Sequence, residues 1–114
     1  MEQKTRKVFE SVPGKQVTLA HIISNPDDKL FVKLGLGNKK ANAMGILTIT
    51  PSDVAVIAVD FAKKEANVNI GFVDRFSGSV CVIGDVSAVE SSIAKVLTEL
   101  QSLMSFSVCN ITRS

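Results

Sequence analysis

The stretch from Ser52 to Ala66 sets the hardest condition on any fold this chain can adopt. Val54, Ala55, Val56, Ile57, Ala58, Val59, Phe61 and Ala62 leave almost no polar stripe at the helical period, so a helix here needs cover on more than one side. One side is a sheet; in a chain of 114 residues, the other is expected to be a neighbouring subunit. Composition points the same way. Hydrophobic residues make up 46% of the chain with no Trp or Tyr, and mean hydropathy is +0.27, so the apolar content is aliphatic surface that a small monomer hides poorly. Thr50-Pro51-Ser52-Asp53 introduces the helix with a cap and an acidic residue three positions on. Its charges gather at the far end as Asp60, Lys63, Lys64 and Glu65, with Asp60 and Lys64 one turn apart.

Around this helix the sequence reads as an arm over 1–15 and one domain over 16–114. The arm opens with charged and polar residues, then places Val8, Phe9 and Val12 in a short strand expected to find its partner only in an assembly, and Pro13-Gly14 ends it in a turn. Gln16 to Ser24 is a strand by its β-branched content, with Val17, Leu19, His21 and Ile23 predicted on one face and Thr18, Ala20, Ile22 and Ser24 on the other. Asn25 is read as the cap and Pro26 as the first residue of a short helix that turns Leu30, Phe31 and Leu34 inward and closes at Gly35 or Gly37.

Met44 to Thr50 is the next strand. Val68 to Val73 and Ser79 to Ile83 form the arms of a hairpin whose tip is Asp74-Arg75-Phe76-Ser77-Gly78. A helix over 86–104 carries Val86, Val89, Ile93, Val96, Leu97, Leu100, Leu103 and Met104 at spacings of three and four, and Phe106 to Thr112 is the last strand. From Met44 the order is strand, helix, strand, strand, helix, strand. That is the α+β class: a ferredoxin-like split βαβ antiparallel sheet with both helices on one face, preceded by a further strand and helix.

The chemistry of the chain argues against catalysis. The single histidine, His21, sits on an aliphatic strand and is read as a core or interface residue with its ring hydrogen-bonded; Cys81 and Cys109 are read as small buried hydrophobes. No paired metal ligands accompany them, and Gly35-Leu36-Gly37 follows a helix where a dinucleotide loop would follow a strand, so neither metal nor cofactor is expected. Asp27 and Asp28 suit the positive end of a helix dipole. A net charge of +2 with scattered basic residues and no aromatic platform excludes a nucleic-acid partner. No apolar run is long enough to span a bilayer, and charges occupy the place of a signal peptide's apolar region, so a cytoplasmic protein without membrane contact is expected. On fold analogy alone, a regulatory small-molecule-binding domain is the alternative to a structural protein.

Several runs carry more than periodicity. Gly45-Ile46-Leu47-Thr48-Ile49-Thr50-Pro51, Lys64-Glu65-Ala66-Asn67-Val68, Gly71-Phe72-Val73-Asp74-Arg75-Phe76-Ser77-Gly78 and Gly84-Asp85-Val86-Ser87-Ala88-Val89-Glu90 together resemble bacterial microcompartment (BMC) shell proteins. The opening Val12-Pro13-Gly14-Lys15-Gln16-Val17-Thr18-Leu19-Ala20-His21 and the ending Ile111-Thr112-Arg113-Ser114 narrow the resemblance to the circularly permuted members of propanediol- and ethanolamine-utilisation compartments.

The resemblance implies a structural homohexamer that tiles with other shell proteins around encapsulated cargo enzymes, themselves candidate partners. It implies that Arg75, Phe76, Ser77 and Gly78 surround a central pore. It also implies that Lys64 and Asn67 lie at the hexamer edge, and that Val8, Phe9 and Val12 belong to an arm forming a small β-barrel over the pore with its symmetry mates. Where unpermuted relatives carry an arginine-proline pair after the strand, this chain has Asn25-Pro26, so that arginine's edge contact does not carry over, and whether Arg113 replaces it is left open by the sequence.

Overall fold

The structure, a computed structural model, describes residues 14–37 and 39–114. Strand β1 (Gln16–Ser24) leads into a short helix α1 (Asp28–Lys33). Strand β2 (Ala43–Thr50) passes through one 3₁₀ turn at Ser52–Val54 into helix α2 (Ala55–Glu65). The hairpin of β3 (Asn69–Asp74) and β4 (Ser79–Gly84) follows, then helix α3 (Val86–Met104) and a two-residue strand β5 (Thr112–Arg113). The five strands lie in the order β3-β4-β2-β1-β5, antiparallel throughout except for β1 and β5. The expected α+β class and the antiparallel sheet with α2 and α3 on one face hold. The first strand takes the place beside β2 where a plain split βαβ sheet would set its last strand, and β5 moves one position outward.

The faces of β1 differ from the simple alternation. Val17 opposes Ile49 and Leu19 opposes Thr48, so Thr18 is an extra residue in the ladder. A bulge of one residue exchanges inside and outside beyond it. Val17, Ala20 and Ile22 are therefore buried together under α2 and α3, while Leu19, His21 and Ile23 turn to the opposite face. The same bulge accounts for the fate of the expected strand over Phe106 to Thr112. Ser107 bridges Gln16 and Thr112–Arg113 pairs with His21–Ile22, but the chain leaves the ladder between them, alongside the bulge.

Helix α1 begins two residues later than expected. Asn25 adopts a left-handed conformation at φ 49°, open to asparagine at small cost, and its N–H donates to the Asn42 carbonyl at 2.8 Å. Asp27 then caps the helix through Oδ1, accepting from the Lys29 N–H at 2.9 Å. The exit is a Schellman turn at Gly35, φ 79°: the Leu36 N–H donates to the Phe31 carbonyl at 2.8 Å and the Gly35 N–H to Val32 at 3.0 Å. Phe31 and Leu36 pack with Met44, Cys81 and Ile83 as a second, smaller core on the face away from α2 and α3.

The main core lies between the sheet and α2 and α3, and α3 meets β2 so closely at Gly45 that a Cβ there would stand 2.9 Å from Ile93 and Val89. Helix α2 starts without the side-chain cap read into Thr50-Pro51-Ser52-Asp53; Val54 instead donates to the Pro51 carbonyl at 3.1 Å. It buries Ala55, Ala58 and Ala62 and leaves Val56 54% and Ile57 39% exposed, the second apolar side its sequence demands be covered. Along α3, Val89, Ile93, Val96, Leu97 and Leu100 are buried as expected, but Leu103 is 66% exposed. Ser105 turns left-handed at φ 58°, and Phe106 folds back with its N–H on the Leu100 carbonyl to take the core position instead.

Candidate functional site

The sheet sorts the candidate residues to its two ends. Gln16, Thr50 and Ser79 mark one end, where β1 enters, β2 leaves and the hairpin turns. Ser24, Ala43, Gly84 and Asn69 mark the other.

At the first end the tip Asp74–Gly78 is shaped by its own backbone. The Phe76 N–H donates to Asp74 Oδ1 at 2.9 Å and the Ser77 N–H to the same oxygen at 3.3 Å, while the Gly78 N–H reaches the Asp74 carbonyl at 2.8 Å. The Phe76 N–H above all, then the Ser77 hydroxyl and N–H, hold the Asp74 carboxyl below its ordinary value of 3.8. Gly78, at φ 82°, accepts from the Ile49 N–H at 2.9 Å, and a Cβ on it would collide with the Ile49 carbonyl. No other residue type fits there without displacing β2.

With Asp74 turned onto the backbone, Arg75 lies over the Phe76 ring at 5.5 Å, and that ring is 85% exposed. The start of the domain stands at the same end: a Cβ on Gly14 would lie 3.0 Å from Thr50 Cγ2, and Lys15 sits over the Phe106 ring at 5.8 Å. Val8, Phe9 and Val12 lie outside the described residues.

The far end carries Lys64 and Asn67, both exposed. Lys64 Nζ pairs with Asp60 at 2.9 Å, the one-turn spacing expected of them. Three contacts there had no signal in the sequence. Lys63 Nζ donates to the Val68 carbonyl at 2.8 Å, across the turn that holds Asn67. Ser92, the one buried polar residue among those described, donates from α3 to the Ala62 carbonyl at 3.1 Å. Arg113 Nε donates to Glu90 at 3.2 Å, between β5 and α3. Asn25 and Pro26 share this end but bring no charge to it.

His21 is half-buried with its ring hydrogen-bonded, as read from the sequence: Nδ1 is 2.6 Å from Thr112 Oγ1 and Nε2 is 2.8 Å from Ser114 Oγ. Ile46 stands between it and Cys81 in the same cross-strand row, and its ring bonds go to Thr112 and Ser114. Cys81 lies in the smaller core, where burial pushes its thiol up to about 11, far from the range of a nucleophilic thiolate; Cys109 packs against the main core. Among the described residues no three His, Cys, Asp or Glu side chains gather as metal ligands, and no helix is long and apolar enough to cross a membrane.

Comparison with known proteins follows this geometry. The BMC domain family profile matches residues 43–112. The chain is 54% identical over 109 residues to the bacterial microcompartment shell protein PduU of Salmonella typhimurium, covering 96% of this chain and 93% of that one. It is 47% identical over 111 residues to the shell protein EutS of the same organism, covering 97% and 98%. Among solved structures it resembles the CutR flat hexamer, form 1, at a TM-score of 0.83 and 42% identity, covering 91% of this chain and 94% of that one.

Proposed function

The chain belongs to the BMC domain family of bacterial microcompartment shell proteins, and from that premise we propose how its two ends divide the work of a tile. It is a structural shell subunit, with no part in catalysis. Its strand β1 and helix α1 stand ahead of the matched region, which is the order a circular permutation of the domain produces. The subunit closes into a cyclic hexamer and associates with other shell proteins in a facet layer. The apolar outer stripe of α2 supplies a subunit contact, and repetition around a ring covers it in every copy.

The tip Arg75-Phe76-Ser77-Gly78 faces the sixfold axis, and the arm that enters beside Thr50 covers the opening. Six copies of a guanidinium over an aromatic ring make a narrow, polarised constriction that restricts metabolite passage. Lys64, Asn67 and Arg113, at the opposite end, meet neighbouring hexamers. The observation that carries this reading is the polarity of the molecule: the tip and the start of the domain share one end of the sheet, and the three edge residues share the other.

The test is Lys64→Ala, examined by light scattering and by electron microscopy of concentrated protein. The expected outcome is an intact hexamer that forms sheets poorly, because an exposed pair such as Asp60–Lys64 contributes only about 0.3–0.5 kcal/mol to the fold. Sheets that grow like those of the parent chain remove Lys64 from the edge.

A further inference from the structure

We infer that His21 is a positioning residue for tile assembly, holding the terminal strand so that Arg113 is presented at the hexamer edge. The inference rests on the edge role proposed for Arg113 and adds the group that aims it. Strand β5 is two residues long, at the edge of the sheet. Its pairing sets Arg113 on the helix side beside Ile22, since paired residues share a face, but so short a ladder holds a strand weakly. The Ser114 N–H on the Ile22 carbonyl at 2.9 Å and the Ser24 N–H on the Ser114 carbonyl at 3.1 Å extend that backbone tether by one residue.

The imidazole reinforces it. Thr112 and Ser114 are two residues apart, so in extended chain their side chains share a face and Arg113 points to the other. His21 contacts both hydroxyls with one rigid ring, Nδ1 on Thr112 at 2.6 Å and Nε2 on Ser114 at 2.8 Å. The Thr112 hydroxyl donates to the Ala20 carbonyl at 3.3 Å, so it accepts from Nδ1–H, and in the neutral ring Nε2 then accepts from the Ser114 hydroxyl. Each polar group in the clamp then has a defined role, and no other tautomer satisfies all of them. With positions 112 and 114 held to the ring, Arg113 is kept on the helix side that its pairing with Ile22 gives it, where Glu90 of α3 meets Nε at 3.2 Å. Glu90 takes the Nε edge, and among the described residues the terminal nitrogens of the guanidinium have no hydrogen-bond partner.

The experiment compares the full chain with Arg113→Ala, His21→Ala, the double variant and His21→Asn, which keeps a donor towards Thr112 and loses the contact to Ser114. Hexamer mass by light scattering and the lowest protein concentration that yields sheets are measured for each. Arg113→Ala and His21→Ala are each expected to keep the hexamer and to raise that concentration about tenfold, the order of a lost charged contact at an interface. The double variant is expected to go no further than either alone, because a residue acting through Arg113 has nothing left to position once the arginine is gone. His21→Asn should fall between His21→Ala and the parent chain.

Sheets from His21→Ala at the parent concentration, with Arg113→Ala defective, overturn the inference and leave the edge reading standing. Unaltered assembly of Arg113→Ala overturns both. A double variant with additive losses gives His21 a general structural role and overturns the inference. Should His21→Ala fail to form hexamers, His21→Asn decides, and parent-like assembly by it counts against the clamp.

Discussion

The tip and the far end of this tile are held by opposite means. At the tip, Asp74, Phe76, Ser77 and Gly78 satisfy one another within five residues, and a single glycine joins the turn to β2. At the far end, Lys64 and Asn67 have local supports in the Asp60 pair and the Lys63–Val68 bond, but the helix and strand that carry the edge residues are also held by side chains reaching across the fold: Ser92 to Ala62, Glu90 to Arg113, His21 to Thr112 and Ser114. A local turn keeps its shape whatever its neighbours do, as the proposed opening at the tip requires. An edge assembled from distant segments exists only after the whole domain has formed, so unfinished subunits offer nothing to bind.

Substitutions at each end can break or sharpen this contrast. The largest expected effect is Gly78→Ala: with φ at 82° and its Cβ driven into the Ile49 carbonyl, the variant should lose roughly 2–4 kcal/mol in thermal or urea unfolding. An unchanged transition would show that the tip yields easily and is not the rigid end.

Asp74→Asn should act less, and only at neutral pH. Because the folded carboxyl titrates below 3.8, its contribution is complete above that value and is lost as pH falls through the lowered one. The parent chain should therefore be the more stable of the two near pH 6, with the difference closing in acid. A difference that persists unchanged to the acid limit would mean that the ionised carboxylate does not organise the turn. Smallest of all is Phe76→Ala, expected within about 0.5 kcal/mol of the parent because the ring is almost wholly exposed. A larger loss would assign Phe76 to the packing of the subunit.

The same contrast explains what could be read before the fold was known. The tip was legible because its chemistry is local: Asp at the head of a turn, Ser and Gly at its end, apolar strand residues on both sides. Helix α3 was legible in its period, apart from Leu103, whose place Phe106 takes after a left-handed Ser105 that no pattern announces. The start of α1 was misplaced because Asn25 is as suited to a left-handed turn as to a cap, and the chain uses the first. At the far end, Lys64 and Asn67 were singled out through a family resemblance, yet the contacts around them were not legible. His21 and Thr112 bond across 91 positions and Ser92 and Ala62 across 30, and nothing in residue type or spacing links such pairs.

The bulges of the sheet bear on how chains of this kind can change length. Thr18 is a supernumerary residue between Val17 and Leu19, and Gly71 holds the same position between Ile70 and Phe72. Removing either one straightens its strand and leaves every following side chain on the face it already occupies, whereas a deletion of one residue elsewhere in β1 or β3 turns the remainder inside out. A lineage could therefore lose or regain a residue at these two places while the pattern of buried positions downstream stays legible from one descendant to the next.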